Sequence, residues 1–272
     1  MLKYVVVIFL FLSFGFLYAQ EPGSVFNSKA GLWARFKTTS VDNMWEVLKE
    51  KKLVQEGLVK NPYELSVDAW DDFAHEGPDV CALQFTSSEK KSYLLRSFES
   101  MDMAKNNNFL VTHEGTCGAC STLRDLYVYA SKPDLAQEVR QCASRWFISD
   151  SNLKKCLMNE VGFTSWCADV WLFNILHTKE VCFETCIDEY GWLNVVMGRF
   201  PDSNNTVTGA LRPCVRCDEE NSGPGFKYAA GRNRRNSGIE SGIQRPAKDI
   251  SQLKHDHYFS VPQKHLHPPP QR

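Results

Sequence analysis

The chain has 272 residues, 43% of them hydrophobic and 12% aromatic, and carries 31 basic against 32 acidic side chains for a net charge of −1. This is a globular composition with enough apolar material for a real core, so disulfides need not carry the fold alone. The charge balance argues against wholesale nucleic-acid binding, although it hides a local basic segment near the C-terminus.

The N-terminus, MLKYVVVIFLFLSFGFLYAQ, has one lysine and then an apolar run ending at the small residue Ala19. It has the form of a secretory signal peptide over residues 1–19, and the run is short for a membrane span, which needs about 20 apolar residues. Cleavage there leaves no later stretch able to span. All ten cysteines follow it: Cys81, Cys117, Cys120, Cys142, Cys156, Cys167, Cys182, Cys186, Cys214 and Cys217. An even count on a secretory route predicts disulfides and a secreted or lumenal location. Asn204-Asn205-Thr206 is a glycosylation sequon in a polar stretch that reads as a surface loop.

Residues 20–79 read as a separate, partly helical region, with a helix expected over Val41–Val59. Val80–Phe85 and Ser92–Phe98 read as a hairpin of strands, followed by a short helix capped by Ser100 and a third strand at Phe109–Val111. From Cys120 to Tyr190 the apolar spacing is helical. Five helices are expected there, with Gly162 ending the third, Thr164 or Ser165 capping the fourth and a break near His177-Thr178 before the fifth. Cys182 and Cys186 share one helical face, so each should bond to a neighbouring element, Cys142, Cys156 and Cys167 being the nearest candidates.

After Gly198 the chain is turn-rich. Between Phe226 and Ile250 it is net-positive, with Lys227, Arg232, Arg234, Arg235, Arg245 and Lys248 against Glu240 and Asp249. Residues 260–272 form a Pro/His-rich tail with the composition of a disordered segment. The expected fold is α+β: a small antiparallel sheet packed on a disulfide-stapled helical core, wrapped by an extended basic C-terminal segment, within one cysteine-rich domain over residues 80–259.

VTHEGTCGACSTLRDLYVYASKPDLAQEVRQC, GFTSWCADVW and CVRCDEENSGPGFKYAAGRNRRNSGIESGIQRP together resemble a family of uncharacterised cysteine-containing proteins over roughly Tyr93 to Tyr258. The resemblance implies one shared fold unit and no particular chemistry, cofactor or partner.

Several chemistries fit the residues around CGAC. A strand, a loop and then CxxC opening a helix is the local arrangement of a thiol–disulfide centre, with Cys117 attacking, Cys120 resolving and His113 adjusting the thiolate. The stretch EGTCGACS also resembles the nucleophile segment of papain-like hydrolases. Cys120 would be the nucleophile there, but Glu114 replaces the oxyanion glutamine, and a carboxylate repels the developing charge. His113, Cys117, Cys120, Cys214 and Cys217 offer ligands for tetrahedral zinc, a reading an oxidising compartment disfavours. The favoured reading is plainer: all ten cysteines bridged, CGAC pinning a strand–helix corner and CVRC pinning the C-terminal segment to the helices. Independently, Lys227, Arg232, Arg234 and Arg235 form a basic cluster that suits an anionic small molecule or partner surface through forked guanidinium contacts.

Overall fold

In the computed structural model, residues 47–54, 61–64, 80–132, 135–243 and 245–258 are described. The expected signal peptide at 1–19, most of the expected N-terminal region 20–79 and the expected tail 260–272 lie outside them. Residues 47–50 are helical, but Lys52–Leu53 (β1) is already a strand, so the expected helix does not continue to Val59. No helix among the described residues is long and apolar enough to cross a membrane.

The sheet has the order β1–β3–β2–β4, with β2 at Val80–Phe85, β3 at Ser92–Phe98 and β4 at Leu110–Glu114. β2 is central and antiparallel to both β3 and β4. β1 joins β3 in parallel, so the sheet is mixed rather than purely antiparallel. The strand period of two divides β2 between two cores. Val80 and Ala82 face a small cluster with Phe98, Ala104 and Phe109 beneath helix α1 (Met101–Asn106), whereas Cys81 and Leu83 face the main helical core. Both faces are therefore covered, which is why β2 reads as an almost unbroken apolar run.

The helical part comprises α2 (Leu123–Ser131), α3 (Leu135–Arg145), α4 (Asp150–Cys156, extended by a π-helical turn to Val161), α5 (Ser165–Tyr190), α6 (Trp192–Val196), α7 (Pro213–Asn221) and α8 (Gly223–Ala230). Gly162 ends the third of these at φ 102°, in the left-handed region that suits glycine. Thr122 and Thr164 cap α2 and α5. Buried Asp125 ties the two caps together: it accepts from the Thr164 backbone N–H at 2.8 Å and from the hydroxyls of Thr164 at 2.7 Å and Thr122 at 2.5 Å.

Two expectations are corrected here. α5 runs unbroken through His177-Thr178 for 26 residues. Both side chains engage the helices packed beside them, Thr178 donating to Asp218 and His177 pairing with the Ser222 hydroxyl, so tertiary contacts override weak local propensity. The turn-rich segment also contains two real helices, α7 and α8. Their prolines sit in the first turn, where the missing N–H costs nothing.

Five disulfides staple the fold: Cys81–Cys117, Cys120–Cys167, Cys142–Cys156, Cys182–Cys217 and Cys186–Cys214. Cys182 and Cys186 thus bond to α7 and not to Cys142, Cys156 or Cys167. Spacings of four on α5 and three on α7 place both pairs on facing stripes of two antiparallel helices, giving a two-rung clamp.

Candidate functional site

The CGAC corner is closed. Cys117 is bonded back to β2 and Cys120 forward to α5, so the two are not a disulfide with each other, and no cysteine among the described residues is free. This leaves no thiolate for exchange, for a nucleophile or for zinc at Cys117, Cys120, Cys214 or Cys217. The glycine between the pair explains the motif differently. A Cβ on Gly118 would lie 2.6 Å from the Ala229 carbonyl oxygen, and one on Gly231, at φ +68°, would lie 2.4 Å from the Gly118 nitrogen. The two backbones touch, with Ala119 and Cys120 donating their N–H groups to the carbonyls of Ala229 and Ala230 at 2.9 Å each. CGAC and the AAGR stretch are two halves of one close backbone crossing.

His113 is wholly buried behind this crossing. Its Nδ1 faces the Glu114 carbonyl at 2.8 Å and must donate there, which leaves Nε2 to accept from the Ser121 hydroxyl at 2.7 Å. Ser121 Oγ in turn accepts the Gly118 N–H at 2.8 Å. Burial, aided by the nearby Arg232 cation, holds the imidazole well below its ordinary range. Neither of the two cavities described below is lined by His113, Ser121, Cys117 or Cys120.

Arg232 was expected in an anion-binding surface, and the structure corrects this: it is 0% exposed. β4 carries a bulge at Thr112, between the partners of Cys81 and Ala82, which frees its carbonyl from the ladder. Arg232 donates to that carbonyl at 3.1 Å, to the Thr112 hydroxyl at 2.6 Å, to the carbonyls of Cys120 and Ser121 at 3.1 Å each, and to the Ser237 hydroxyl at 3.0 Å. It is the keystone between the sheet, the CGAC loop and the C-terminal segment.

Lys227, Arg234 and Arg235 behave differently. All three line one cavity of about 170 Å³, together with Arg140 of α3 and Arg245. Arg234 is committed to backbone, donating to the carbonyls of Glu240 and Lys132. Arg245 pairs with Glu219 at 2.6 Å, and Arg140 donates to Asn204 Oδ1 at 2.6 Å. Among the described residues, the Lys227 ammonium and the Arg235 guanidinium have neither a hydrogen bond nor an ion pair. The acidic members of the wall are muted. Glu219 is neutralised by Arg245, and burial pushes the Asp218 carboxyl above the usual carboxylate range against hydrogen bonds from Thr178 and Asn174. The chamber is therefore net-positive, with two cations to spare.

Asn204 also lines this chamber and is 2% exposed. It is not on an open surface loop as the sequence suggests, because Arg140 fixes its carbonyl oxygen. That donor leaves the amide nitrogen facing the other way, buried and without a partner among the described residues. Sequence reasoning missed Arg140, Asp218 and Asn204 as members of one wall, since they come from α3, α7 and the connecting loop.

Neither a curated protein nor a solved structure matches the chain. Residues 150–253, which carry the α5–α7 clamp, Lys227 and the arginine turn, match a family of unknown function (DUF8771).

Proposed function

We propose that this is a secreted or lumenal, disulfide-stapled binding protein whose ligand is a small anion held in the chamber of Lys227, Arg234 and Arg235. The observation that carries the reading is the pair of unpartnered cations, Lys227 and Arg235, on the wall of one chamber. Arg235 is half-buried and Lys227 exposed, neither is committed to the fold, and the two cations beside the buried, unpartnered Asn204 amide offer a receptor for negative charge. The five disulfides fit an oxidising compartment.

The test is calorimetric titration of the intact chain with inorganic phosphate, sulfate and acetate. The Lys227→Ala plus Arg235→Ala variant should lose at least tenfold in affinity, since each charge-assisted hydrogen bond contributes roughly 1.5–3 kcal/mol. Equal affinity in the variant and the parent chain would remove the proposal.

A further inference from the structure

The basic chamber does not stand alone. A second cavity of about 190 Å³ lies against it, and the two share Ala136, Arg140, Trp171, Asn174, Val215 and Asp218. The rest of the second cavity is mostly apolar, with Val139, Phe147, Ile175, Phe183, Val195 and Phe200 in its wall. One partition therefore separates a cationic chamber from a hydrocarbon one.

Most polar groups of that partition are occupied with one another, the exception being the Trp171 indole N–H, which is buried without a hydrogen-bond partner among the described residues. Arg140 donates to Asn204, the Asn174 amide nitrogen donates to Asp218 at 3.2 Å, and Asn174 Oδ1 meets the Tyr63 hydroxyl at 2.9 Å. Thr178, on the apolar side, is spent on Asp218 and Ser222. The unmet demand for a hydrogen-bonding partner lies along the wall of the basic chamber, at Lys227, Arg235, the Asn204 amide, the Tyr129 hydroxyl and the Trp171 indole N–H that both chambers share. The rim of the apolar chamber continues the pattern. Val195 of α6 lines it, and on and just beyond the same short helix Trp192, Leu193 and Met197 stay 53%, 70% and 55% exposed. Trp192 meets the chamber wall edge-on through Phe183, with ring centroids 5.8 Å apart.

Resting on the reading above, we infer that the ligand is an amphipathic anion: one carboxylate, sulfate or phosphate head at Lys227, Arg235 and Asn204, and a hydrocarbon body in the phenylalanine-lined chamber. Charge complementarity fixes the head, and the valine, isoleucine and phenylalanine side chains lining the second chamber fix the apolar character of the body. The exposed apolar side chains of α6 form the approach by which such a body leaves water.

A chain-length series tests this. Acetate, hexanoate, octanoate and decanoate are titrated into the intact chain, alongside inorganic phosphate and decanol. Affinity should rise about threefold to fourfold per methylene, the factor equivalent to burying one CH₂ at about 0.8 kcal/mol. Ala143, which lines only the apolar chamber, supplies the matching variant. Ala143→Phe should abolish the chain-length dependence and leave phosphate binding unchanged. If that variant fails to fold, the parent chain's length series and its preference for decanoate over decanol still decide the matter. Affinity independent of chain length, with phosphate still bound, overturns the amphipathic ligand and leaves the anion chamber standing. Decanol binding as tightly as decanoate, or no binding by any probe, overturns both.

Discussion

Replacing Arg232 with methionine should lower stability by about 3 kcal/mol and leave anion binding at the Lys227–Arg235 chamber intact. Arg232 makes five hydrogen bonds to three carbonyls and two hydroxyls, with no carboxylate among its partners. The hydroxyls of Thr112 and Ser237 can turn to other acceptors. The carbonyls of Thr112, Cys120 and Ser121 cannot, and each buried acceptor left unmet costs roughly 1–3 kcal/mol. Against that total stand the relief of burying a guanidinium without a counter-ion and the burial of an apolar methionine stem. Arg232→Lys keeps the charge but not the planar fork, and should lose about 2 kcal/mol. The measurement is urea unfolding with disulfides intact, followed by tryptophan fluorescence, comparing midpoints at unchanged slope. A loss below about 1 kcal/mol for the methionine variant would refute the keystone role. So would a stable variant that no longer binds phosphate, which would return Arg232 to the ligand site.

Gly118→Ala should cost about 1–3 kcal/mol by forcing apart the crossing between the CGAC loop and Ala229–Gly231, whereas alanine at Gly223 in the first turn of α8, where an added Cβ meets nothing nearer than 3.7 Å, should cost less; thermal unfolding of the two variants compares them. A non-reduced tryptic digest should recover Asn106–Arg124, the fragment holding both Cys117 and Cys120, cross-linked to fragments containing Cys81 and Cys167. Recovery of that fragment alone, with an internal bond, would contradict the structure and revive the redox reading. His113 is held neutral in the fold. As pH falls below about 6.5 the unfolded chain gains a proton that the native state refuses, and stability drops by up to about 1.4 kcal/mol per pH unit until the native imidazole titrates. His113→Gln should flatten that limb between pH 6.5 and 5, and an unchanged slope would show that another group is responsible.

Local pattern made the sheet legible. Short apolar runs separated by a hairpin-length polar connection place β2 and β3 at the bounds the structure has, and Gly162 and Thr164 mark helix ends because left-handed backbone and capping are properties of a few adjacent residues. The even cysteine count behind an N-terminus with the form of a signal peptide likewise anticipates complete bridging of the ten. What failed was whatever depends on neighbours distant in the chain. α5 passes through His177-Thr178 because α7 and Ser222 supply partners for both side chains. Cys182 and Cys186 found theirs 35 and 28 residues downstream, where matching helical stripes meet.

The arginine cluster draws the same division most sharply. By sequence Arg232, Arg234 and Arg235 are three equal cations in one glycine-flanked turn, and composition alone marks that turn as a candidate anion surface. The crossing at Gly118 and Gly231 decides otherwise for the first of them. It presses Arg232 against the Thr112 bulge, where five buried acceptors consume its guanidinium. Arg234 is spent on two carbonyls, and Arg235 is left with Lys227 in an open chamber beside an apolar one. Charge is written in the residue type. Whether a charge is consumed by the fold or left for a ligand depends on which distant acceptors the folded chain brings within hydrogen-bond reach, and only the tertiary structure decides that.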